Sequence, residues 1–207
     1  DGAADSKGRF WVGTMQNNIS PQATDMEIVE NSGSLYCINQ DLSFSKLEDN
    51  IGISNTVVWS PDSKKFYFTD TLTGIINSYD CNIEEGTISN KTFFAKHERG
   101  FPDGSIVDSD GCLWSCRWGG SCVIRFDPNG KVDDIIELPV QNITSCTFGG
   151  KDLNELYVSS AGWGSGSSPE EAPGIEPTGY AFNAYRGGDL FRVKLDIQGK
   201  PEYRTKF

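Results

Sequence analysis

Short runs of alternating apolar and polar residues, separated by clusters of Gly, Pro, Asp and Asn, cover most of the chain. The clearest example extends from Phe101 to Lys131 and predicts strands at 105–107, 112–118 and 122–126. A tight turn at 108–111 separates the first two strands. Turns of this length connect antiparallel strands, and the pattern requires no helix.

The same pattern occurs four times along the chain. Each copy has an aromatic residue in its second strand, and successive aromatic anchors are 56, 47 and 43 residues apart: Trp11, Tyr67, Trp114 and Tyr157. Each copy also has an aspartate at or near the end of its third strand: Asp41, Asp80, Asp127 and Asp196. Fourth strands are predicted at 46–48, 88–94, 132–138 and 202–207.

Four-stranded units of about 45 residues, each with a buried aromatic residue and a turn after every strand, are typical of β-propeller blades. We therefore predict an all-β chain that forms one propeller domain over residues 1–207. The predicted blades span approximately residues 1–50, 51–98, 99–140 and 141–207. A β-sandwich is the alternative, although a sandwich does not require so regular a repeat.

Two segments are too long for the repeat and are predicted to be inserted loops. The first extends from Gln16 to Ser32 and the second from Gly162 to Gly188. The second loop is rich in Gly, Ser, Pro and Glu, and it exceeds the usual length of a connection. It is expected either to cover the channel mouth or to be a disordered insertion, and its aromatic residues favour partial order: Trp163, Tyr180, Phe182 and Tyr185.

The charge of the chain narrows the classes of partner. A formal net charge of −11 repels phosphate backbones and anionic lipids, so neither nucleic acid nor a membrane surface is predicted as a partner. No apolar run approaches the length of about 20 residues that spans a bilayer, and no leader-like segment starts the chain. A small molecule remains as the predicted ligand, bound by a soluble protein that is a monomer or a weak dimer.

Six cysteines lie mostly inside predicted strands and form neither a Cys-x-x-Cys pair nor a zinc-like group: Cys37, Cys81, Cys112, Cys116, Cys122 and Cys146. We predict free core thiols in a reducing compartment, the cytoplasm, with disulfides as the alternative. The only histidine, His97, lies among charged residues in a predicted loop and is expected at the surface.

The first strand of each propeller blade lines the central channel, so the residues that precede these strands converge at one mouth. Alignment of the four copies places four oxygen-bearing side chains there: Asp1, Asn55, Asp103 and Ser145. Carboxylate and amide oxygens suit a hard divalent cation, Ca²⁺ or Mg²⁺, and also Mn²⁺ or Zn²⁺. The alternative is that these side chains only cap the strand ends with hydrogen bonds. The Asp-x-x-Gly segments at 5–8, 108–111 and 127–130 lack the other ligands of a calcium loop and are predicted as hairpin turns.

Four motifs carry a resemblance to a known family: DGAADSKGRFWVGTM, NTVVWSPDSKKFYFTD, FPDGSIVDSDGCLW and TSCTFGG. Over nearly its whole length the chain resembles the regucalcin (senescence marker protein)/gluconolactonase/luciferin-regenerating-enzyme family. The resemblance implies a six-bladed propeller that hydrolyses sugar lactones with one divalent metal ion in the axial channel, held by a Glu, an Asn and an Asp. The Asn of the family matches Asn55, and the Asp, which is also the general base, matches Asp103.

The chain departs from the family pattern in two ways. The metal-binding Glu of the family, and the Arg and Asn that bind substrate, match no residue here, since they precede the position of Asp1. The chain is therefore expected to lack about two blades at its front and to be inactive or weakly active alone, with a closed ring of four blades as the alternative. In addition, Asn18 replaces a substrate-contacting Glu and Thr56 replaces a Gly, so the substrate is expected to differ from that of the animal proteins.

The combined prediction is a metal-dependent lactonase that opens an aldonolactone to the free sugar acid. Asp103 is predicted to be the general base, and Asn55 and Asp103 to hold the metal. Asp1, Asn18 and Ser145 are predicted to contact substrate. The alternative is a non-enzymatic calcium-binding or protein-binding propeller. Such a module would bind metal without lactone turnover and would have a large exposed apolar patch on one face.

Overall fold

A computed structural model of the chain describes residues 1–22, 26–162 and 187–207. Within these ranges the chain forms four antiparallel sheets whose strands are neighbours in chain order, as in the blades of a propeller. The all-β propeller prediction is thereby confirmed, and the one helical element described is the 3-10 turn Thr71–Thr73. None of the described residues belongs to a helix long and apolar enough to cross a membrane.

The strand bounds follow the predicted repeat. Blade I contains β1 (Gly2–Ala4), β2 (Phe10–Gly13), β3 (Gly33–Ile38) and β4 (Phe44–Ile51). Blade II contains β5 (Ser54–Trp59), β6 (Lys65–Asp70), β7 (Ile75–Asn82) and β8 (Thr87–Lys96). Blade III contains β9 (Phe101–Val107), β10 (Leu113–Trp118), β11 (Cys122–Phe126) and β12 (Val132–Glu137). Blade IV contains β13 (Asn142–Gly149), β14 (Glu155–Ala161) and β15 (Leu190–Lys194). The first strands of adjacent blades pack side by side in the order β1, β5, β9 and β13.

The fourth strand predicted for the last blade, at 202–207, is wrong. Residues 201–207 form no strand, and blade IV has three strands among the described residues. The chain leaves blade IV toward blade III, where the N–H of Ser109 donates to the carbonyl of Gln198. This contact directs the following residues away from the outer edge of β15. They reach blade I, where the N–H of Lys206 donates to the carbonyl of Gly8 at 3.0 Å.

The apolar core lies between neighbouring blades. Trp11 of blade I is fully buried, and its ring packs edge-on against Trp59 of blade II at a centroid distance of 5.3 Å. Trp114 of blade III is also fully buried and packs edge-on against Phe148 of blade IV at 5.8 Å. Truncating a buried tryptophan to alanine costs on the order of 3 to 5 kcal/mol, so these two predicted anchors contribute strongly to the contact between blades.

A buried aspartate supports the tryptophan of blade III, and blade I repeats the arrangement. The carboxylate of Asp108 accepts hydrogen bonds from Trp114 Nε1 and from Arg125 Nε, both at 2.9 Å. Asp5 accepts the equivalent bonds from Trp11 Nε1 and from a neighbouring arginine. In both blades the glycine three residues after the aspartate donates its N–H to the carbonyl of that aspartate. These Asp-x-x-Gly segments are therefore hairpin turns, as their spacing predicts.

The remaining predictions about the fold have different outcomes. The six cysteines are free thiols, and five of them are buried. His97 lies in the segment between β8 and β9 and is half-buried, and its Nδ1 accepts the N–H of Arg99 at 3.1 Å. The partial order predicted for the second loop, with Trp163, Tyr180, Phe182 and Tyr185, lies outside the described residues.

Candidate functional site

The strand register puts the four aligned positions at equivalent places in or directly before the first strand of each blade. The partner of each aligned residue lies in the second strand of the same blade. It is the residue two positions after the aromatic anchor of that strand. Asn55 pairs in this way with Thr69, and Ser145 pairs with Ser159. In blade I the carbonyl of Asp1 accepts a hydrogen bond from the residue at that position.

Asp103 occupies the same place in blade III, where the first strand carries one extra residue. The register shifts between Ser115 and Arg117, so that Asp103 and Gly104 together lie opposite Cys116. This β-bulge explains why the anchor follows the aspartate by 11 residues in this copy and by 10 residues in the first copy. The sequence alignment of the four copies therefore agrees with the geometry of the sheets.

A threonine hydroxyl holds Asn55 and also reaches blade III. Asn55 Nδ2 donates to Thr71 Oγ1 at 2.9 Å, and Thr71 Oγ1 donates to the carbonyl of Pro102 at 2.8 Å. Thr71 is buried and begins the 3-10 turn after β6, so its hydroxyl is fixed in position. Because the amide nitrogen of Asn55 is engaged in this way, its Oδ1 is the atom available to a ligand.

Thr56, the next residue, joins the same two strands directly. Its Oγ1 donates to the carbonyl of Asp103 at 2.9 Å and lies 2.8 Å from Ser105 Oγ. Thr56 is fully buried and has a φ of 57°, in the left-handed region that β-branched residues rarely adopt. Asn55 and Asp103 therefore come from neighbouring strands that are hydrogen-bonded to each other at the site itself.

Asp103 is the partly buried acidic group of this site. Burial raises the pKa of its carboxyl to about 6, and a hydrogen bond from the backbone N–H of Gly104 offsets part of that rise. A carboxyl group with a pKa in this range can accept and return a proton at neutral pH, as general acid–base catalysis requires.

A cavity of about 140 Å³ extends along the innermost strands, and Asp1 and Ser145 line it. Asn55 and Asp103 each lie two residues before a lining residue of their own strand. Blades III and IV approach closely here, since a Cβ added to Gly104 would lie 2.6 Å from Ser145 Oγ. Asp1 and Ser145 therefore line the cavity, whereas Asn55 and Asp103 lie on strands that line it without being lining residues themselves.

Asn18 is not joined to this group by any contact among the described residues. It lies between β2 and β3, where its carbonyl accepts the N–H of Met26 at 2.7 Å. Thr14, at the start of this loop, is linked to the strand that carries Asn55, because its carbonyl accepts a hydrogen bond from Ser54 Oγ at 2.8 Å. Contact between Asn18 and a substrate stays a prediction.

Sequence reasoning missed Arg117, which holds the loop that leads to Asp103. The guanidinium is buried and donates to the carbonyls of His97, Arg99 and Gly100 at 2.9 to 3.0 Å. Burial lowers the pKa of Arg117 to about 10, so the group still carries its charge at neutral pH. The available signal was a single charged residue in strand β10, which is otherwise composed of apolar residues and one serine, but the strand pattern does not reveal which loop such a residue binds.

Glu202 is a second residue that sequence reasoning did not place near the channel. It lies in the C-terminal segment and lines the same cavity, although its side chain is 45% exposed. The predicted fourth strand would have carried this carboxylate to the outer edge of blade IV. The course of residues 195–207 toward blades III and I explains the difference.

The site fits a divalent cation in the chemistry of its donors. Asn55 Oδ1 and the Asp103 carboxylate are hard oxygen ligands, and the raised pKa of Asp103 reports a buried carboxyl that a nearby cation would stabilise in its charged form. Within residues 1–22, 26–162 and 187–207 there is no group of three or more His, Cys, Asp or Glu side chains arranged for a metal. Two side chains do not complete the coordination of such an ion, so further ligands would have to join them.

Comparison with known proteins gives consistent matches. The family model of the SMP-30/Gluconolactonase/LRE-like region matches residues 1–162. Regucalcin of Gallus gallus is 39% identical over 206 residues, which cover 98% of this chain and 64% of that protein. Pentonolactonase XacC of Haloferax volcanii is 35% identical over 208 residues, which cover 99% of this chain and 65% of that protein.

A solved structure shows the same likeness in three dimensions. The chain is similar to a calcium-binding protein, regucalcin, from Agrobacterium tumefaciens, with a TM-score of 0.80 and 25% identity. That superposition covers 100% of this chain and 64% of the other chain. The chain therefore spans slightly less than two thirds of the length of the proteins that it matches.

Proposed function

The chain belongs to the SMP-30/gluconolactonase/LRE-like family, and from this premise we propose that the full-length protein hydrolyses a sugar lactone to the free sugar acid. The relatives support a sugar-lactone hydrolase family, because a pentonolactonase is 35% identical over 99% of this chain. The observation that supports the proposal is that Asn55 and Asp103 lie on neighbouring strands, which Thr56 joins by donating its hydroxyl to the carbonyl of Asp103. The pair combines a fixed amide oxygen with a partly buried carboxyl whose pKa is about 6.

In the proposed reaction Asp103 acts first as a base and then as an acid. Its carboxylate takes a proton from a water molecule as the water oxygen attacks the lactone carbonyl carbon. The ester bond between that carbon and the ring oxygen then breaks, and Asp103 returns the proton to the departing alkoxide oxygen. The product is the open hydroxy acid, and Asp103 is again a carboxylate.

Asn55 and Asp103 would hold the divalent ion, and Ca²⁺, Zn²⁺, Mn²⁺ and Mg²⁺ are the candidates. The ion would supply Lewis-acid polarisation of the lactone carbonyl. Asn55 contributes an oxygen ligand without negative charge, which favours a strongly electrophilic centre. Asp1 and Ser145 line the cavity and can hydrogen-bond to substrate hydroxyl groups, and we assign the same role to Asn18.

The proposal is tested on the full-length protein after treatment with EDTA. Each of the four ions is added back separately, and acid release from D-glucono-δ-lactone and from pentonolactones is followed with a pH indicator. We expect activity to depend on one or more of the ions and to be lost in Asp103→Asn. Asp41→Asn is the matched control, because Asp41 is an exposed aspartate in a turn of blade I. Lactone hydrolysis that survives both EDTA and Asp103→Asn would contradict the proposal.

A second candidate function is calcium binding without catalysis. It is favoured by the similarity to a protein described as a calcium-binding regucalcin. Isothermal titration of Ca²⁺ into the full-length protein separates the two candidates when it is combined with the lactone assay. Tight Ca²⁺ binding with no acid release from any lactone would favour this second function.

The thiols support a reducing, cytoplasmic location. Burial raises the pKa of the thiols of Cys37, Cys81, Cys112 and Cys122 to about 11, so these groups stay protonated and unreactive at neutral pH. Alkylation with iodoacetamide in denaturant, without any reductant, should label all six cysteines. Labelling of fewer cysteines would instead favour disulfides and an oxidising compartment.

A further inference from the structure

The regular pairing of β9 with β10 is interrupted at the proposed base. Pro102, the residue before Asp103, has no N–H and cannot donate a hydrogen bond to the strand ladder. The β-bulge then places Asp103 and Gly104 opposite the single residue Cys116, which disrupts the ladder at the next step. The position of Asp103 therefore depends on contacts outside the regular pairing of the two strands.

Arg117 supplies such contacts from the strand beside this segment. Its backbone pairs with Pro102 in the register of β10 and β9. Its guanidinium binds the loop 97–100, which leads into β9. Nε donates to the carbonyl of Arg99 at 3.0 Å, and Nη2 donates to the carbonyls of His97 and Gly100, both at 2.9 Å. One planar group thus fixes three carbonyl groups of this loop.

The loop 97–100 packs directly on the turn between β10 and β11. Gly100 has a φ of 62°, in the left-handed region that favours glycine. An added Cβ at Gly100 would lie 2.5 Å from the carbonyl oxygen of Trp118 and 2.7 Å from the backbone nitrogen of Gly120. Arg99 Nε donates to the carbonyl of Gly120 at 2.9 Å. Because the fit is this close, a change in the course of the loop would move the start of β9.

The start of β9 is also connected to the amide of Asn55. The carbonyl of Pro102 accepts the hydroxyl of Thr71 at 2.8 Å, and that hydroxyl accepts Asn55 Nδ2 at 2.9 Å. A displacement of Pro102 would therefore reach both groups of the candidate site. It would reach Asp103 through the chain and Asn55 through Thr71.

Stability alone does not explain a buried arginine at position 117. The guanidinium is fully buried, and its hydrogen-bond partners among the described residues are the three carbonyls and the hydroxyl of Ser115. Removing a charged group from water costs free energy, and neutral dipoles offset less of that cost than an opposite charge does. Arg125, on the neighbouring strand β11, is instead buried against the carboxylates of Asp108 and Asp133. The charge of Arg117 is therefore best explained by the loop that it holds in place.

We propose that Arg117 is a positioning residue for lactone hydrolysis, which keeps Asp103 and Asn55 in their reactive arrangement by holding the loop 97–100. The inference rests on the proposed function for the reaction itself. In this role Arg117 contacts neither the substrate nor the attacking water, so its loss affects the chemical step through the placement of Asp103. Asp1 and Ser145, which we assign to substrate hydroxyl groups, belong to blades I and IV, so substrate binding should change little.

The test measures kcat and KM separately on the full-length protein, with the lactones and ions used to test the proposed function. Arg117→Met should lower kcat roughly 10- to 100-fold, as expected when a catalytic group shifts by about 1 Å, while KM stays within about threefold. Arg117→Lys keeps the charge but can bond to fewer carbonyls, so it should lower kcat by only about 3- to 10-fold. Arg125→Lys is the matched control, because it alters a buried arginine of the same blade that binds Asp108, and its kcat should stay within about twofold.

Hydrogen–deuterium exchange gives a readout that does not depend on catalysis. The amides of residues 97–104 should exchange faster in Arg117→Met than in the unaltered protein, and at the unaltered rate in Arg125→Lys. Circular dichroism checks that each variant is folded. If Arg117→Met does not fold, Arg117→Lys and its control decide the inference by the same comparisons.

The outcomes separate this inference from the proposed function. A kcat for Arg117→Met within about threefold of the unaltered value, or an equal loss in Arg125→Lys, overturns the inference even if lactones are hydrolysed. A raised KM with unchanged kcat also overturns it, because Arg117 would then act in substrate binding. If the unaltered protein hydrolyses no lactone, the proposed function fails and the exchange rates decide the role of Arg117. Faster exchange at 97–104 then supports its holding of the site, and unchanged exchange overturns it.

Discussion

The first strands of blades II and III reach the site at equivalent positions with different side chains. β5 presents the neutral amide of Asn55, and β9 presents the carboxyl group of Asp103. The amide is fixed by Thr71, whereas the carboxyl has a pKa raised to about 6 by burial. One repeated backbone position therefore carries a neutral amide in one blade and a carboxyl group, the proposed base, in the next. The repeat sets where these side chains lie, and the substitution within the repeat sets what they can do.

The residues that follow Asp103 and Asn55, Gly104 and Thr56, differ in backbone conformation and in the contacts that they make. Gly104 follows Asp103, but its φ is not positive, so this glycine is not required by the backbone conformation. It is required by space, because an added Cβ would lie 2.8 Å from the carbonyl oxygen of Thr144 in blade IV. Thr56 follows Asn55 and does have a positive φ, 57°, which its hydrogen bonds to β9 maintain. Gly104 allows the close approach of blades III and IV, and Thr56 links β5 to β9 through its hydrogen bonds.

Substitutions at Asp103 and Asn55 should have the largest effect on lactone hydrolysis. We expect Asp103→Asn to lower kcat/KM for lactone hydrolysis by about 10²- to 10⁴-fold, the usual contribution of a general base. Asn55→Asp should cost less, about tenfold, because it keeps an oxygen ligand but adds negative charge beside the base. Steady-state kinetics on the full-length protein measure both effects.

The double variant Asn55→Asp/Asp103→Asn sharpens the comparison between the strands. If position determines the role, this exchange should be as inactive as Asp103→Asn alone. Recovery of activity to within tenfold of the unaltered protein would show that any carboxylate at the mouth suffices, and it would contradict the assignment of Asp103 as the base.

Adding a single methyl group at Gly104 should weaken the contact between blades III and IV. The added Cβ would meet Ser145 Oγ at 2.6 Å and the carbonyl oxygen of Thr144 at 2.8 Å. We expect Gly104→Ala to lower the free energy of unfolding by about 1 to 3 kcal/mol, as overpacking usually does. Urea denaturation followed by tryptophan fluorescence measures the change. Ser145→Gly should restore only part of the loss, since the contact with Thr144 remains, and full stability of Gly104→Ala would contradict the close approach.

The pH dependence of stability should report the environment of Asp103 in the metal-free protein. Its pKa in the folded state is about 6, above its ordinary value of 3.8, so the folded state binds the proton more tightly than the unfolded state. The resulting stabilisation is complete below about pH 4 and is lost as the pH rises through about 6. We expect a loss of roughly 2 kcal/mol, after allowance for solvent screening of a partly exposed group.

Asp103→Asn removes this titration and gives the reference curve. The difference in unfolding free energy between the unaltered protein and the variant, measured in EDTA by urea denaturation from pH 4 to pH 7, should fall over that interval. A constant difference would mean that Asp103 is not desolvated.

Local sequence patterns predicted most of the fold, because the residues that define each strand and turn lie close together along the chain. The alternation and turn residues around Trp114 place β9, β10 and β11 within a few residues of their observed bounds. The repeat also predicted the equivalence of Asn55 and Asp103, because the register of a hairpin follows from its turn and its apolar face. The failure at 202–207 has a non-local cause, since the bond from Ser109 to Gln198 joins turns of different blades.

The parts of the site that the sequence did not predict depend on contacts across blades. Thr71 follows β6 in a 3-10 turn, and nothing in the local sequence indicates that its hydroxyl would bind Asn55 and blade III together. The same holds for Arg117, whose buried guanidinium binds three carbonyl groups of a preceding loop. Sequence patterns identify which residues carry useful chemistry, and the packing of the blades determines which of them cooperate.

The smallest expected effects concern Thr56, where conformational strain and hydrogen bonding oppose each other. Thr56→Val keeps the β-branched shape at φ 57° but removes the hydroxyl that binds Asp103 and Ser105, and it should lower the unfolding free energy by about 1 to 2 kcal/mol. Thr56→Gly loses the same bonds but also relieves about 1 to 2 kcal/mol of left-handed strain, so its net effect should stay within about 1 kcal/mol. Urea denaturation of both variants measures the balance. If Gly destabilises more than Val, the positive φ carries little strain, and the link between the two strands depends on the packing of Thr56 rather than on its hydrogen bonds.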